Sequence, residues 1–188
     1  MGKKCNLLWV LMFCFPVAQA CAQQSTITVH VHKTGLFSSF AHNHVISAPV
    51  ATAEVNAAGM SAAITVLAKN MKVVDPDASE KDRAEIQSTM LGPKVLNAAK
   101  FPEIRFNSSR IEQTGPQHYR VTGVLLLHGV SKEISFEVTG GPQHYQGKAK
   151  LKQTDFGIQP VSVAGGTVKV KDEVELEFDI FAGAKNGR

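Results

Sequence analysis

Near its end the chain reads VKVKDEVELEFDI (168–180), where Val174, Leu176, Phe178 and Ile180 alternate with Glu173, Glu175, Glu177 and Asp179. A strand sends successive side chains to opposite faces, so this segment buries one face and wets the other. No helix would separate the two sets. The same period of two recurs along most of the chain. Ile134, Phe136 and Val138 share a face, as do Tyr119, Val121, Leu125 and Leu127 with Gly123 between them. Tyr145, Gly147, Ala149 and Leu151 oppose His144, Gln146, Lys148, Lys150 and Lys152.

Further strand candidates are TITVHVHK, the segment from Leu36 to Ser47, VATAEVNA, AAITVLAKN and EIRFNSSRI. Gly- or Pro-bearing turns separate many of them: Thr34-Gly35, Ala58-Gly59, Gly115-Pro116, Gly129 and Gly140-Gly141-Pro142. Eight or nine short strands joined by tight turns predict an all-β antiparallel barrel or sandwich. One interval, DPDASEKDRAEIQSTMLGPKVLNAAKFP, breaks the alternation. Ser79 is placed as an N-cap ahead of acidic residues, with a helix to about Met90; Gly92-Pro93 then interrupts, and a second short helix is expected from Pro93 to Ala99. The expectation is one barrel with a helical insertion around 79–99.

The N-terminus bears on compartment. Lys3 and Lys4 precede the apolar run from Leu7 to Phe15, then Pro16 and VAQACAQQ. A basic start, a short apolar segment and small residues at a cleavage point read as a secretory signal. Cutting after Ala22 uses Ala20-Cys21-Ala22, giving a signal peptide at 1–22, a barrel at 23–182 and a tail at 183–188. The competing cut after Ala20 would leave Cys21 first, as a lipoprotein anchor. No later stretch reaches membrane-spanning length, so a periplasmic or secreted protein with no membrane span is expected. All three cysteines (Cys5, Cys14, Cys21) lie in or beside the removed segment. The mature chain therefore has neither a disulfide framework nor a thiolate for catalysis or zinc. Removing Lys3 and Lys4 from the 20 basic residues leaves 18 against 16 acidic ones. No basic block with interleaved aromatics points to nucleic acid.

Catalytic signatures are missing. There is no G-x-S-x-G, H-E-x-x-H or phosphate loop, and Glu54, Glu85 and Asp155 make no diagnostic pair. The segment Asp155-Phe156-Gly157 reads as a turn. No enzyme is expected, with a metal-dependent activity at the first hairpin as the alternative.

Four landmarks in order carry a resemblance: KDRAEIQS, KFPEIRFNSSRIE, YRVTGVLLLHGVSKEISFEV and LKQTDFGI. Together they resemble the YceI-like family over nearly all of the mature chain. The resemblance implies a lipocalin-like, eight-stranded antiparallel barrel, periplasmic, holding a long isoprenoid or similar lipid. The chain departs from the family pattern in TMLGPKVLNAAK, at Leu126, and in adding His42 and His44 to the first hairpin. The ligand-binding set expected from this and from strand parity is Phe40, His42, His44, Leu125, Leu127, Phe136, Tyr145, Gly147, Ala149 and Phe178. Small inward residues such as Gly123, Gly147 and Ala149 either leave room for a ligand or serve strand curvature; the resemblance favours room. No cofactor is expected beyond a bound polyisoprenoid or other lipid, and the partner is an apolar small molecule, with a homodimer admitted.

The histidines raise the metal alternative. His30 and His32 sit on the polar face of TITVHVHK, opposite Ile27, Val29 and Val31. His42 and His44 share parity with Phe40 and Ile46, which favours the inward face, although Ala41 and Val45 leave the opposite choice open; the preferred role is a neutral pair at the barrel mouth, hydrogen-bonding a head group. As metal ligands they supply only two of the three or four that zinc needs. With a two-residue turn at Thr34-Gly35, His30 would face Ser39 and His32 would face Phe37, and the four imidazoles would not converge. His128 is expected to be structural; His118 and His144 are expected on the surface.

Overall fold

The structure, a computed structural model, describes residues 23–34, 43–163 and 168–182. The expected signal peptide (1–22), Phe40, His42 and the 183–188 tail lie outside them. Eight strands make the barrel: β1 (Thr26–Thr34), β2 (His44–Asn56), β3 (Ser61–Leu67), β5 (Glu103–Gly115), β6 (His118–Leu127), β7 (Val130–Gly141), β8 (His144–Lys152) and β10 (Val168–Phe181). Two short strands, β4 (Lys72–Val73) and β9 (Ser162–Val163), pair with β2 and β10. The sheet runs β1-β10-β8-β7-β6-β5-β3-β2, every pairing is antiparallel, and β1 also pairs with β2. This is the closed eight-stranded barrel expected from the alternation and the resemblance. The apolar sets of β1, β6, β7, β8 and β10 all join one interior. Outside, the acidic row of β10 meets the lysines of β8, with Lys148–Glu177 at 2.5 Å and Lys150–Glu173 at 3.0 Å. Such exposed pairs add little stability, but their complementarity suits these strands as neighbours.

Three local expectations are corrected. The first hairpin does not turn at Thr34-Gly35: Val31 faces His44 and His30 faces Val45. The observed register sets Ile46 and Ala48 against Val29 and Ile27. A two-residue turn would have set Phe40 and His42 there, and burying an imidazole in that layer without a partner is costly. A longer connection costs little by comparison. Secondly, VATAEVNA is not a separate strand. β2 continues through Pro49, which falls where β4 has ended and β3 has not begun, so its missing N–H breaks no ladder. Thirdly, helix α1 (Glu80–Leu91) starts at the expected cap, with Ser79 accepting from the Asp82 backbone N–H at 3.1 Å, but no second helix follows. Residues 93–99 form turns in which Asn97 takes a left-handed φ of 45° and its N–H reaches Gly92 O at 2.9 Å.

The two ends of the barrel differ. The β2–β3, β5–β6 and β7–β8 turns lie at one end, with Ser25 and Phe181. At the other lie α1, β4 and a 3-10 turn at Gln153–Phe156. That second end is filled: Met71, Val73, Met90, Leu96, Phe156 and Ile158 are all buried. Gln87 ties α1 to the β4 segment, donating to Met71 O and accepting from Val73 N–H, both at 2.8 Å. His128, structural as expected, donates from Nδ1 to Phe156 O at 3.2 Å and packs edge-on against Phe101. Asp75, 1% exposed, accepts from Val45 N–H at 2.5 Å and from His44 Nδ1 at 2.6 Å.

A row of residues crosses five neighbouring strands inside the barrel: Phe106 on β5, Gly123 on β6, Phe136 on β7, Gly147 on β8 and Phe178 on β10. The rings lie 5.4 Å and 5.1 Å apart, centroid to centroid. Each glycine lies beneath a ring. A Cβ on Gly123 would stand 2.6 Å from Phe106 Cζ, and one on Gly147 would stand 2.6 Å from Phe178 Cε2. These glycines seat aromatic side chains against the backbone and do not open space for a ligand.

Two stability outcomes follow from this packing. Gly147→Ala forces Phe178 off its seat and crowds Glu137 O, and is expected to cost about 1–3 kcal/mol. Asp75→Ala leaves a buried backbone N–H and an imidazole without their acceptor, at an expected cost of about 2–4 kcal/mol. Urea denaturation of each variant measures both; a midpoint unchanged from the unmodified protein would contradict the assigned role.

Candidate functional site

The interior left unfilled by the core is a cavity of about 270 Å³. Its walls are apolar: Phe106, Leu125, Phe136, Ala149, Leu176 and Phe178 line it together with further Ile and Val side chains. It extends towards the end that carries the three turns. There Asn56, Met60 and Ser61 of the β2–β3 turn reach it, as do Gln113, Tyr119 and Tyr145. Among the described residues, no Asp, Glu, Lys, Arg or His lines it.

The polar groups at the mouth are thus neutral hydrogen-bonding side chains. Tyr119 and Tyr145 stand edge to face with centroids 6.3 Å apart. Burial, and secondarily the neighbouring Tyr119, push the Tyr145 phenol above its ordinary range, so it stays protonated and able to donate. A site of this kind encloses hydrocarbon in its depth and can offer O–H and amide N–H donors where the cavity meets solvent.

Of the residues singled out from the sequence, Leu125, Phe136, Tyr145, Ala149 and Phe178 come together around the cavity. Leu127 packs against the core and Gly147 lies under the Phe178 ring, neither lining the cavity. His44 faces inward, as its parity with Ile46 suggested, but at the filled end, where Asp75 holds its Nδ1. Phe40 and His42 lie outside the described residues. His30 and His32 occupy the outer face, with Nε2 atoms 3.5 Å from Glu177 and 3.9 Å from Glu175. His118 is on the surface as expected, whereas His144 is half-buried, stacked on Phe181 and paired with Asp179. Among the described residues, no three His, Cys, Asp or Glu side chains converge to hold a metal ion.

Gln113 escaped the sequence reading for a geometric reason, while Asn56 and Ser61 flank the β2–β3 turn, where strand parity is no guide. A bulge between Ser108 and Arg110 reverses the parity of β5, so Phe106 and Gln113 both reach the interior although they differ by an odd number of positions. A second bulge between Val50 and Thr52 does the same to β2, where Val50 and then Ala53 are buried. Asp75 left no periodic signal, because a single carboxylate in a loop is ordinarily solvated.

Known proteins fit this architecture. The crystal structure of Burkholderia cenocepacia BcnA superposes with a TM-score of 0.60 at 19% identity, covering 84% of this chain and 96% of that one. The Campylobacter jejuni YCEI protein gives 0.55 at 15% identity, covering 96% of this chain and 90% of its own. At these identities the likeness is one of fold. In sequence, a UPF0312 protein of Pseudomonas putida (strain W619) is 30% identical over 104 residues, 50% of this chain and 54% of the relative. A UPF0312 protein of Vibrio campbellii is 30% identical over 115 residues, 56% of this chain and 59% of its own. The chain thus spans between half and three-fifths of the length of these relatives. The YceI-like domain model, however, matches residues 19–182, which is most of the chain, and on that match the protein belongs to the YceI-like family.

Proposed function

We propose that the protein is an exported carrier that holds the apolar chain of a lipid-like molecule, such as an isoprenoid, a quinone-like compound or a fatty chain, inside its barrel. The observation that supports this reading is the uncharged, apolar cavity opening at one end of a closed sheet. The basic and apolar N-terminal segment supports export. Neither the metal reading nor catalysis gains support from the site, whose polar groups are two phenols, two amides and a hydroxyl.

The volume sets a scale. Counting roughly 30 Å³ per small group, the cavity accommodates on the order of nine methylene-sized units. At about 0.8 kcal/mol each, these supply roughly 7 kcal/mol before the cost of ordering the chain. A longer isoprenoid would extend through the mouth past Tyr119 and Tyr145. The polar end of the ligand belongs at that mouth, where the phenols and Gln113 donate to an oxygen. This differs from the sequence-based expectation of a head group at His42 and His44. His44 lies at the opposite end and is already engaged by Asp75.

Binding of a dodecyl-chain fluorescent probe or of retinol to delipidated protein tests the reading. One equivalent is expected to bind the unmodified chain. Ala149→Trp, which fills the cavity from its wall, is expected to weaken binding about tenfold or more while the barrel circular dichroism is retained. If neither probe binds the unmodified protein, the carrier reading fails.

A further inference from the structure

Charge is distributed very unevenly between the two ends of the barrel. No Asp, Glu, Lys or Arg occurs from Val55 to Ala68, from Gln113 to Tyr119, or from Val138 to Gly147. These runs contain the β2–β3, β5–β6 and β7–β8 turns, which the antiparallel order brings to the open end. Among the described residues, Ser25, Phe181 and Ala182 complete that end, also without charge; Lys185 and Arg188 follow in sequence, outside the described residues. Ala58, Gly59, Met60, Gln117, Pro142 and Gln143 at the turns are exposed. The first charges down the wall are largely paired: Arg110 with Glu112 at 2.6 Å and Arg120 with Glu137 at 2.8 Å, while Asp179 meets the His144 imidazole. Glu54 stands two positions below the β2–β3 turn. The filled end, in contrast, carries Asp77, Glu80, Lys81, Asp82, Lys94 and Lys100.

We infer that the open end is a docking surface for a lipid bilayer, seating the three turns among uncharged or zwitterionic headgroups. The inference rests on the reading that the cavity takes up an apolar chain. Two observations carry it beyond that reading. The apolar lining is continuous with the outer surface through Ala57 and Met60, which line the cavity and are also exposed at the turn. An apolar chain crossing water exposes each methylene on the way, and a mouth set on the headgroups shortens that passage. The absence of formal charge from the turns is the second. Carboxylates or ammonium groups there would have to lose hydration on seating, whereas small neutral side chains lose little. A rim built to find anionic lipid would carry Lys or Arg, and this one has none among the described residues.

The chemistry has a definite signature. Association with phosphatidylcholine vesicles should need no anionic lipid and should change little between low and high salt, because no counter-charges are being screened. The test places one carboxylate on each turn, with Ala58→Glu, Gln117→Glu and Gln143→Glu combined; none of the three lines the cavity. The neutral counterpart Ala58→Gln serves as the control. Vesicle flotation of the ligand-free protein and transfer of the dodecyl-chain probe out of phosphatidylcholine vesicles are measured side by side. The unmodified protein and the control are expected to float with the vesicles, with transfer rates that rise with vesicle concentration. The triple variant is expected to float about tenfold less and to transfer at a rate independent of vesicle concentration, yet to bind the probe normally in vesicle-free buffer. Loss of binding in buffer by the unmodified protein would count against the carrier reading, separately. Equal flotation of variant and unmodified protein, or flotation of neither, overturns the docking inference. So does sedimentation showing that the carboxylates dissolve a dimer, which would make this end a self-association face.

Discussion

β1 hydrogen-bonds along both of its sides, to β10 over Thr26–Thr34 and to β2 over Thr26–Val31, and with that double pairing the sheet has no free edge. Closure turns the period of two from a surface pattern into an inside and an outside. Every inward residue then competes for the same limited volume, and an eight-stranded barrel is just wide enough to be filled by side chains or to hold one small ligand. Which of the two happens is decided separately at each end. At one end the long β3–β5 connection and the β8–β10 connection fold back and supply Met71, Met90, Leu96, Phe156 and Ile158 as filling. At the other the strands are joined by tight turns, which are too short to reach the axis. The cavity is what remains between the two.

Its floor and walls are set by the aromatic row. Phe106, Phe136 and Phe178 are large enough to fill the middle of the barrel if they stood out from the wall. Gly123 and Gly147 let two of them lie back against the neighbouring strand. The glycines thus keep the interior open at one remove. They give no volume to a ligand directly, but without them the rings would have to stand further into the interior. Both sequence-based alternatives, room or curvature, miss this third use, because nothing in the spacing of glycines indicates which neighbouring-strand ring will cover them.

Much of the architecture was legible because long strands declare themselves when one face is apolar. VELEFDI, ISFEV and TITVHVHK each assign their inward face without help, and Ser79 marks the start of α1. What was not legible depends on interruptions of the period. The bulges in β2 and β5 reverse parity in mid-strand, so Ala53 and Gln113 reach the interior against the register of Val50 and Phe106. The first hairpin departs from the local signal because Thr34-Gly35 resembles a tight turn, while the observed register sets Val29 against Ile46, seventeen positions away, in the core layer. Asp75 was invisible for a related reason. Its value lies in two donors brought to it by β2, and neither is near it in sequence.

The His44–Asp75 pair also explains why the histidine-bearing hairpin and the ligand end need not coincide. A buried carboxylate is tolerated only when its oxygens are satisfied, and here one oxygen takes the Val45 backbone N–H while the other takes the imidazole. That arrangement fixes where β2 begins, and hence the register in which it meets β1. Moving the imidazole towards a ligand would strand Asp75, so the geometry favours a positioning role for His44 at the filled end. The polar chemistry lining the cavity then comes from Tyr119, Tyr145, Gln113, Asn56 and Ser61, all neutral. If it takes up a ligand as proposed, a cavity furnished in that way would discriminate mainly by shape and by one or two hydrogen bonds, since no charged side chain lines it among the described residues. On the proposed carrier reading, selectivity would depend on how far a chain can run past the aromatic row before its polar end meets the phenols.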